Sequence, residues 1–123
     1  MKFNSNSNLF GVELEKGKLD GILKTIYQDV FNTELYPTIE EKAAHLLYFI
    51  VKDHPFIDGC KRIAATLFLE FLNKNKKLVK DGKLVLSNNT LVAITLLTAE
   101  SKPEEMDVII NVIMHLLNGD YYE

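Results

Sequence analysis

Ionisable side chains of three kinds stand close together in the segment HPFIDGCKR, residues 54–62. A neutral imidazole at His54 could take a proton from an attacking hydroxyl group. A carboxylate at Asp58 would be repelled by bound phosphate groups unless a Mg²⁺ ion bridged them, and Mg²⁺ commonly binds one or two carboxylates together with phosphate oxygens. A base and a metal ligand four residues apart suit phosphoryl or nucleotidyl transfer.

The second half of this segment has the features of an anion site. A helix is predicted to begin near Cys60, and the first N–H groups of a helix have no partner within it. Gly59 permits backbone angles that other residues resist, and Pro55 and Phe56 would anchor the loop against the core. Lys61 and Arg62 oppose the helix dipole at a cost of about 0.3–1 kcal/mol each, which an anionic ligand would offset. The alternative is a loop whose histidine and carboxylate only cap helix ends.

Two strongly apolar helices are predicted to hold this segment between them. Thr38 and Glu41 have the spacing of a capping box, which begins a helix over residues 38–52. Pro55 ends that helix, because the residue before a proline avoids helical angles. A second buried helix is predicted over residues 60–75.

The remaining segments complete a compact all-α domain of about five helices. Three further helices are expected, over residues 14–31, 90–99 and 103–119. Pro37 blocks continuation of the first of them, so residues 31–38 are expected to be irregular or briefly extended. Asn89 is expected to cap the second, and KDGK at 80–83 predicts a turn.

The composition suits one domain with a substantial core. The chain has 123 residues, of which 47% are apolar, and a net charge of −3. This charge gives no global basic field, so no direct nucleic-acid binding is expected. A single cysteine permits no intrachain disulfide, and we find no signal peptide or membrane span, which predicts a cytoplasmic protein without a membrane partner. The predicted units are a flexible arm (1–12), one domain (13–119) and a tail (120–123).

The segment HPFIDGCKR resembles the signature of the Fic/Doc family, HPFx(D/E)GN(G/K)RxxR. Residues 41–75 look like the two central helices of that fold. Residues 90–101, TLVAITLLTAES, are similar to a Doc-like domain at the C-terminus of some bacterial virulence-associated proteins. The resemblance implies an all-α Fic/Doc-type helical bundle with a short flap. It also implies transfer of a phosphate-containing group from ATP, with Mg²⁺, to a hydroxyl of a target protein. Most members transfer AMP, whereas Doc-type toxins transfer the terminal phosphate.

The resemblance implies a role for each matching residue. His54 would be the general base and Asp58 the Mg²⁺ ligand. The anion hole and phosphate contacts would come from four consecutive residues, Gly59, Cys60, Lys61 and Arg62. Family members align the target as an added strand along a short hairpin, the flap, which corresponds by position to residues 31–37. Its target-binding residues would be Thr33, Glu34, Leu35 and Tyr36.

Two positions depart from the family pattern. The family's asparagine is Cys60 here, and a thiol hydrogen-bonds only weakly, so activity would be reduced or lost. A thiol at a helix N-terminus beside cations could be redox-sensitive, although a small buried residue is the simpler interpretation. The family's second arginine is Ala65 here, which favours Doc-like transfer of the γ-phosphate over AMP transfer. The alternative is a catalytically degenerate fold that binds a nucleotide or a protein.

Regulation would come from an element outside the motif. Many Fic proteins carry an inhibitory helix with the pattern (S/T)xxxE(G/N). SKPEE, residues 101–105, has the spacing, but Met106 follows it, and an N-cap before the last helix is the simpler interpretation. An antitoxin or an N-terminal regulatory domain would then inhibit the protein in the bacterial cytoplasm. Secretion as an effector is the open alternative.

Overall fold

The structure is a computed structural model that describes residues 17–53 and 60–119. The helices are α1 (Lys18–Ile26), α2 (Ile39–Asp53), α3 (Cys60–Lys74), α4 (Asn88–Glu100) and α5 (Met106–Asn118). The strands are β1 (Asp29–Val30), β2 (Thr33–Glu34), β3 (Val79–Lys80) and β4 (Lys83–Leu84). This architecture confirms the predicted all-α bundle. The predicted arm (1–12) and tail (120–123) lie outside the described residues, and none of the described helices is long and apolar enough to cross a membrane.

Helix α2 lies at the centre of the bundle, where it contacts the other four α-helices. Its sequence accounts for this position, because apolar side chains occupy nearly every face, and Leu46, Leu47 and Ile50 are each at most 1% exposed. The helix begins with the predicted capping box. Glu41 N–H donates to Thr38 Oγ1 at 3.0 Å, and Thr38 N–H donates to Glu41 Oε1 at 3.3 Å.

Helix α3 makes the most extensive helix contact with α2. Its buried side chains recur at helical spacing and include Ile63, Phe68 and Leu72, each at most 1% exposed. The helix ends where Lys76 takes a left-handed φ of 60° and Lys77 N–H donates back to the Leu72 carbonyl at 2.8 Å. The segment with the predicted chemistry is therefore the link between the two helices with the largest shared interface.

The start of α4 differs from the prediction. The N-cap is Ser87 and not Asn89, because Thr90 N–H donates to Ser87 Oγ at 3.1 Å. Serine and asparagine both make good N-caps, so propensity does not separate them. The chain is still extended at Ser87, with ψ 165°, and is helical from Asn88 onward. Asn89 is therefore already inside the helix.

Residues 101–105 also differ from the predicted N-cap. Ser101 ends α4, and its hydroxyl donates to the Thr98 carbonyl at 2.7 Å. Lys102 N–H donates to the Glu105 carboxylate at 2.7 Å, which supports a 3₁₀ turn over Pro103–Glu105. Helix α5 follows and ends at Asn118, close to the predicted end near Gly119, whose φ is 76°.

The chain between α1 and α2 forms a hairpin, whereas the sequence predicted a helix up to residue 31. Helix α1 ends at Ile26, because β1 pairs with β2 in an antiparallel register. The two residues at the tip, Phe31 and Asn32, have φ of 53° and 65°, the pattern of a type I′ turn. A left-handed angle at a residue other than glycine costs about 1–3 kcal/mol. The second hairpin has the same turn at Asp81 and Gly82, which confirms the turn predicted at 80–83.

Candidate active site

The centre of the predicted motif lies outside the described residues, so its predicted roles stay predictions. The residues concerned are His54, Pro55, Phe56, Asp58 and Gly59. The structure does describe the two elements that hold this segment. Helix α2 ends directly before it, at Asp53, and α3 begins directly after it, at Cys60.

The end of α2 is fixed to the end of α4 by a lysine. Lys52 Nζ donates to the Ser101 carbonyl at 2.7 Å and to the Ala99 carbonyl at 3.4 Å. These carbonyls belong to the last turn of a helix and to the residue after it, where carbonyl oxygens have no N–H donor within the helix. The cation satisfies them and also suits the negative end of α4. The C-terminal end of α2, after which the motif begins, is therefore held against a second helix.

The beginning of α3 is fixed by Cys60. Its side chain is 9% exposed and belongs to the main hydrophobic core. A small, apolar thiol suits such a position. This burial agrees with the simpler interpretation of Cys60 as a small core residue. Its predicted contact with phosphate groups stays a prediction.

The first turn of α3 is cationic. Lys61 and Arg62 are exposed, and this turn holds no acidic residue, whereas the first turns of α1, α2 and α5 each hold at least one. Both cations line a groove of about 400 Å³ between α3 and α4. The wall of the groove includes Ala65, Leu69 and Leu91, so it is apolar next to the charged end. The arrangement places two positive charges beside a space that a ligand can enter.

The described residues contain no cluster of metal-binding side chains. Among them, no three or more His, Cys, Asp or Glu side chains are grouped so that they could hold a metal ion. The carboxylate predicted to bind Mg²⁺, Asp58, lies in the segment that the structure does not describe. Mg²⁺ needs few protein ligands, because phosphate oxygens and water fill most of its positions. The Mg²⁺ prediction therefore depends on Asp58 alone.

The four residues predicted as a target-binding flap lie on the first hairpin and directly after it. Thr33 and Glu34 form β2, Leu35 is exposed, and Tyr36 is half-buried on the way into α2. The outer edges of a two-stranded hairpin offer unpaired backbone groups that an added strand can use. Whether these residues bind a target stays a prediction.

The hairpin and the cationic turn lie at different ends of the helix pair. The hairpin precedes α2, whereas the cationic turn follows it. Tyr27, just before the hairpin, contacts Phe71 with ring centroids 6.3 Å apart. Phe71 lies ten residues after Lys61 on α3, a distance of about 15 Å along the helix. The structure therefore does not place the base of the hairpin beside the predicted phosphate site.

A buried lysine fixes the hairpin on α2. Lys42 is 3% exposed, and its Nζ donates to Glu34 Oε2 at 3.1 Å and to the Tyr36 carbonyl. The same ammonium group lies 5.3 Å from the centroid of the Tyr27 ring. A buried charge is costly unless it is paired and hydrogen-bonded, and these three partners meet that requirement. The base of the hairpin is therefore held in one position relative to α2.

His45 packs against Tyr36, which lies between the hairpin and α2. Its ring stacks on Tyr36 with centroids 3.7 Å apart, and its Nδ1 donates to the Glu41 carbonyl at 2.7 Å. Burial lowers the pKa of His45 below the ordinary value of 6.5, although the bond to the Glu41 carbonyl and the charges of Glu41 and Asp107 act to raise it. Burial, with a smaller contribution from the Glu41 charge, raises the pKa of Tyr36. Both rings are therefore neutral packing groups at pH 7.

Two residues of the hairpin region were not predicted from the sequence. Lys42 had a signal, because a lysine directly before the apolar run of α2 must either be exposed or have partners. Phe31 is 96% exposed at the tip. Its signal would have been an aromatic residue in a turn that favours Asn-Gly or Asp-Gly. That signal becomes visible only once the pairing of β1 with β2 is known.

A model of the Fic/DOC family matches residues 3–72, more than half of the chain. The match covers the first hairpin, α2, the motif segment 54–62 and most of α3. With the all-α fold and the motif between its two central helices, this match shows that the chain belongs to the Fic/DOC family. The match begins inside the predicted arm and ends at residue 72. The proposed similarity of residues 90–101 to virulence-associated proteins therefore stays a prediction.

The chain is also similar to a curated relative named Toxin Doc, from Mycolicibacterium smegmatis (strain ATCC 700084 / mc(2)155). The two are 34% identical over 74 residues, which are 58% of this chain and 57% of the relative. The chain therefore matches just over half the length of that relative. No match was found among solved structures.

Proposed function

We propose that the protein transfers a phosphate-containing group from ATP to a hydroxyl group of a target protein. Membership of the Fic/DOC family supports this class of reaction. The observation that carries the proposal is the first turn of α3, where Lys61 and Arg62 are exposed at the helix end that repels cations. Bound phosphate groups offset the repulsion between the cations and the helix end, because the helix end and both cations attract the same ligand.

The proposed reaction gives each residue of the site a separate role. His54 accepts the proton of the target hydroxyl, whose oxygen forms a bond to a phosphorus atom of ATP. The bond from that phosphorus to the oxygen of the leaving group breaks. Arg62 binds phosphate oxygens through paired N–H groups, and Lys61 acts as a point charge. A Mg²⁺ ion held by Asp58 would neutralise negative charge on the phosphate oxygens.

The groove beside the cationic turn favours transfer of the γ-phosphate, with ADP as the leaving group. Transfer of AMP would instead release pyrophosphate. In members of the family that transfer AMP, an arginine at the position of Ala65 contacts the outer phosphates. Here Ala65 is half-buried in the groove wall, so no guanidinium group reaches into the groove from that position.

A toxin–antitoxin context is the second part of the proposal. The similarity to a relative named Toxin Doc supports a bacterial cytoplasmic protein that an antitoxin or an N-terminal regulatory domain holds inactive. The internal pattern at residues 101–105 is less suited to inhibition, because its two key side chains are engaged locally. Ser101 is bonded to Thr98, and Glu105 to Lys102.

Labelled ATP tests the proposal directly. The protein, Mg²⁺ and a bacterial lysate are incubated with ATP that carries the label at either the α- or the γ-phosphate. The His54→Ala variant is the matched control. We expect γ-label on a lysate protein with the wild type and none with the variant. An α-label would show AMP transfer despite Ala65, and no His54-dependent label of either kind would overturn the transferase proposal.

The second candidate function is a degenerate Fic fold that binds a nucleotide or a protein without catalysis. Burial of Cys60 favours it, because a thiol packed in the core offers phosphate groups less than the family's asparagine would. The Cys60→Asn variant separates the two functions. A large gain in turnover with an unchanged circular dichroism spectrum would favour the degenerate fold. Turnover at the wild-type level or below would favour an enzyme adapted to cysteine.

A further inference from the structure

The second hairpin carries a pair of lysines that its own structure disfavours. The strand register places Lys80 directly opposite Lys83. Like charges in directly opposite positions of an antiparallel pair are destabilising. Both lysines are exposed, and neither forms a salt bridge with another of the described residues. A negatively charged group bound between them would replace this repulsion by attraction.

The segment around the pair is basic as a whole. Residues 74–83 contain five lysines and one acidic residue, in a chain whose net charge is −3. Lys77 Nζ lies 3.7 Å from Glu40 Oε2, whereas the other four lysines form no salt bridge within the described part of the chain. Cations suit the negative end of a helix, which accounts for a lysine directly after α3. The helix end does not account for two lysines that face each other across a hairpin.

The other face of the same hairpin is apolar and exposed. Val79 lies opposite Leu84, and the two residues are 52% and 57% exposed. Successive side chains of a strand point to opposite faces, so the apolar pair and the lysine pair lie on different sides of the hairpin. A strand that joined this hairpin would therefore meet positive charge on one face and apolar surface on the other.

The outer edge of β4 is suited to such a third strand. Val85 N–H donates to the Leu78 carbonyl at 2.9 Å, so these two residues form a hydrogen-bonded pair. Along an antiparallel ladder, such pairs alternate with pairs whose N–H and C=O groups point outward. Leu84 precedes Val85, so its N–H and C=O groups point away from β3. A groove of about 380 Å³ lies between this strand and the last turn of α5, where it reaches Gly119.

We propose that the second hairpin binds an extended acidic segment of a partner protein, which adds to β4 as a third strand. Alternating side chains fit both faces, with carboxylates against Lys80 and Lys83 and apolar groups against Val79 and Leu84. A second copy of this hairpin is a poor occupant, because it would bring lysines against lysines. A nucleic acid is also a poor occupant, because residues 74–84 include no aromatic side chain on which a base could stack.

This surface is separate from the proposed phosphate site. Lys74, at the end of α3, lies thirteen residues after Lys61, a distance of about 20 Å along the helix. The inference therefore does not depend on the proposed transferase function, and its test needs no catalytic activity.

Synthetic peptides test the inference. The probe is a short fluorescent peptide in which glutamate and valine alternate, and the control peptide has glutamine in place of glutamate. Fluorescence anisotropy gives the affinities of the wild type, of a variant with Lys80→Gln and Lys83→Gln, and of a control variant with Lys24→Gln and Lys102→Gln, two exposed lysines elsewhere. We expect the wild type to bind the acidic peptide at least tenfold more tightly than the glutamine peptide. The first variant should lose at least tenfold in affinity, and the control variant should stay within twofold.

Two further measurements separate strand addition from a loose attraction of charges. Hydrogen exchange of the Leu84 amide should become at least fivefold slower with saturating acidic peptide, because this N–H gains a partner. A variant with Lys80→Glu and Lys83→Glu should instead bind a peptide in which lysine and valine alternate. A misfolded hairpin would not give this gain of binding.

Three results would overturn the inference. Equal affinity for the acidic and the glutamine peptide, or an unchanged affinity after Lys80→Gln and Lys83→Gln, would leave the lysines as protection of a free sheet edge. Unchanged exchange at Leu84 would show that no strand is added. Tighter binding of a single-stranded oligouridylate than of the acidic peptide would assign the surface to a nucleic acid.

Discussion

The ammonium group of Lys52 lies 2.7 Å from the carbonyl oxygen of Ser101, so a single side chain joins the last turn of α2 to the residue that ends α4. The predicted catalytic segment begins two residues after Lys52. The position of the helix end that precedes it therefore depends on a contact with a helix much later in the sequence.

The Lys52→Met variant should lose about 1–3 kcal/mol in the free energy of unfolding, because two backbone carbonyls lose a charged donor. Urea unfolding followed by circular dichroism gives this value. The control is Lys24→Met, which removes an exposed pair with Asp20 at 3.2 Å and should change stability by about 0.5 kcal/mol or less. Equal losses in the two variants would contradict a special role for Lys52.

The Lys42→Met variant should loosen the hairpin more than it destabilises the whole fold. The variant removes only one partner of the ion pair, but the Glu34 side chain is 50% exposed, so water can solvate the carboxylate that is left behind. The hairpin, however, loses its bonds to Glu34 and to the Tyr36 carbonyl. We expect hydrogen exchange of the Leu35 amide to become at least tenfold faster, while Tm stays within about 4 °C. Unchanged exchange at Leu35 would show that strand pairing alone holds the hairpin.

Protonation of His45 should lower the free energy of unfolding as the pH falls. Because burial lowers its pKa in the folded state, the unfolded chain binds a proton at that site more readily than the folded chain does. Its contribution is fully present above pH 6.5, the ordinary value, and is lost as the pH falls from there through the folded-state pKa. Urea unfolding at pH 7.5 and pH 5.0 measures the difference. The His45→Phe variant, which keeps a ring against Tyr36, should show a smaller drop, and an equal drop would contradict the assignment to His45.

Lys61 should affect stability and ligand binding in opposite directions. Removing an exposed cation from the positive end of α3 should stabilise the protein by about 0.3–1 kcal/mol. The same Lys61→Met variant should bind ATP about tenfold more weakly, since one charged contact with phosphate is lost. Calorimetric titration with ATP and urea unfolding give the two values. Lys83→Met on the second hairpin is the control, and it should keep the affinity of the wild type.

Patterns that depend on neighbouring residues were predictable from the sequence, and patterns that depend on pairing were not. The capping box at Thr38 and Glu41 needs only a spacing of three residues, and the start of α2 was therefore correct. The predicted end of α1 was wrong, because Val30 has helical spacing with the residues before it and yet pairs with Thr33 across a turn. The cap of α4 was wrong because Ser87 and Asn89 are equivalent in type and differ only in the backbone angle that the preceding chain imposes.

The same distinction applies to the candidate site. The cations at Lys61 and Arg62 could be assigned to a helix start because a glycine and an apolar periodic run mark that start in the sequence. The support for the site could not be assigned, since Lys52 reaches a carbonyl 49 residues later in the chain. The hairpin was expected near residues 31–37, but its strained aromatic tip follows from a pairing register that a linear pattern does not show.

Helices α2 and α3 are joined by a link of only six residues and share the most extensive interface in the described part of the fold. Contacts between segments close in sequence form early in folding, because little chain has to be closed to make them. This pair is therefore the expected folding nucleus, on which α4 and α5 dock later. The link that the nucleus closes carries the predicted catalytic motif. The two helices that hold the predicted site are therefore expected to be among the first parts of the molecule to fold. The other helices then dock on a site whose supports are already in place.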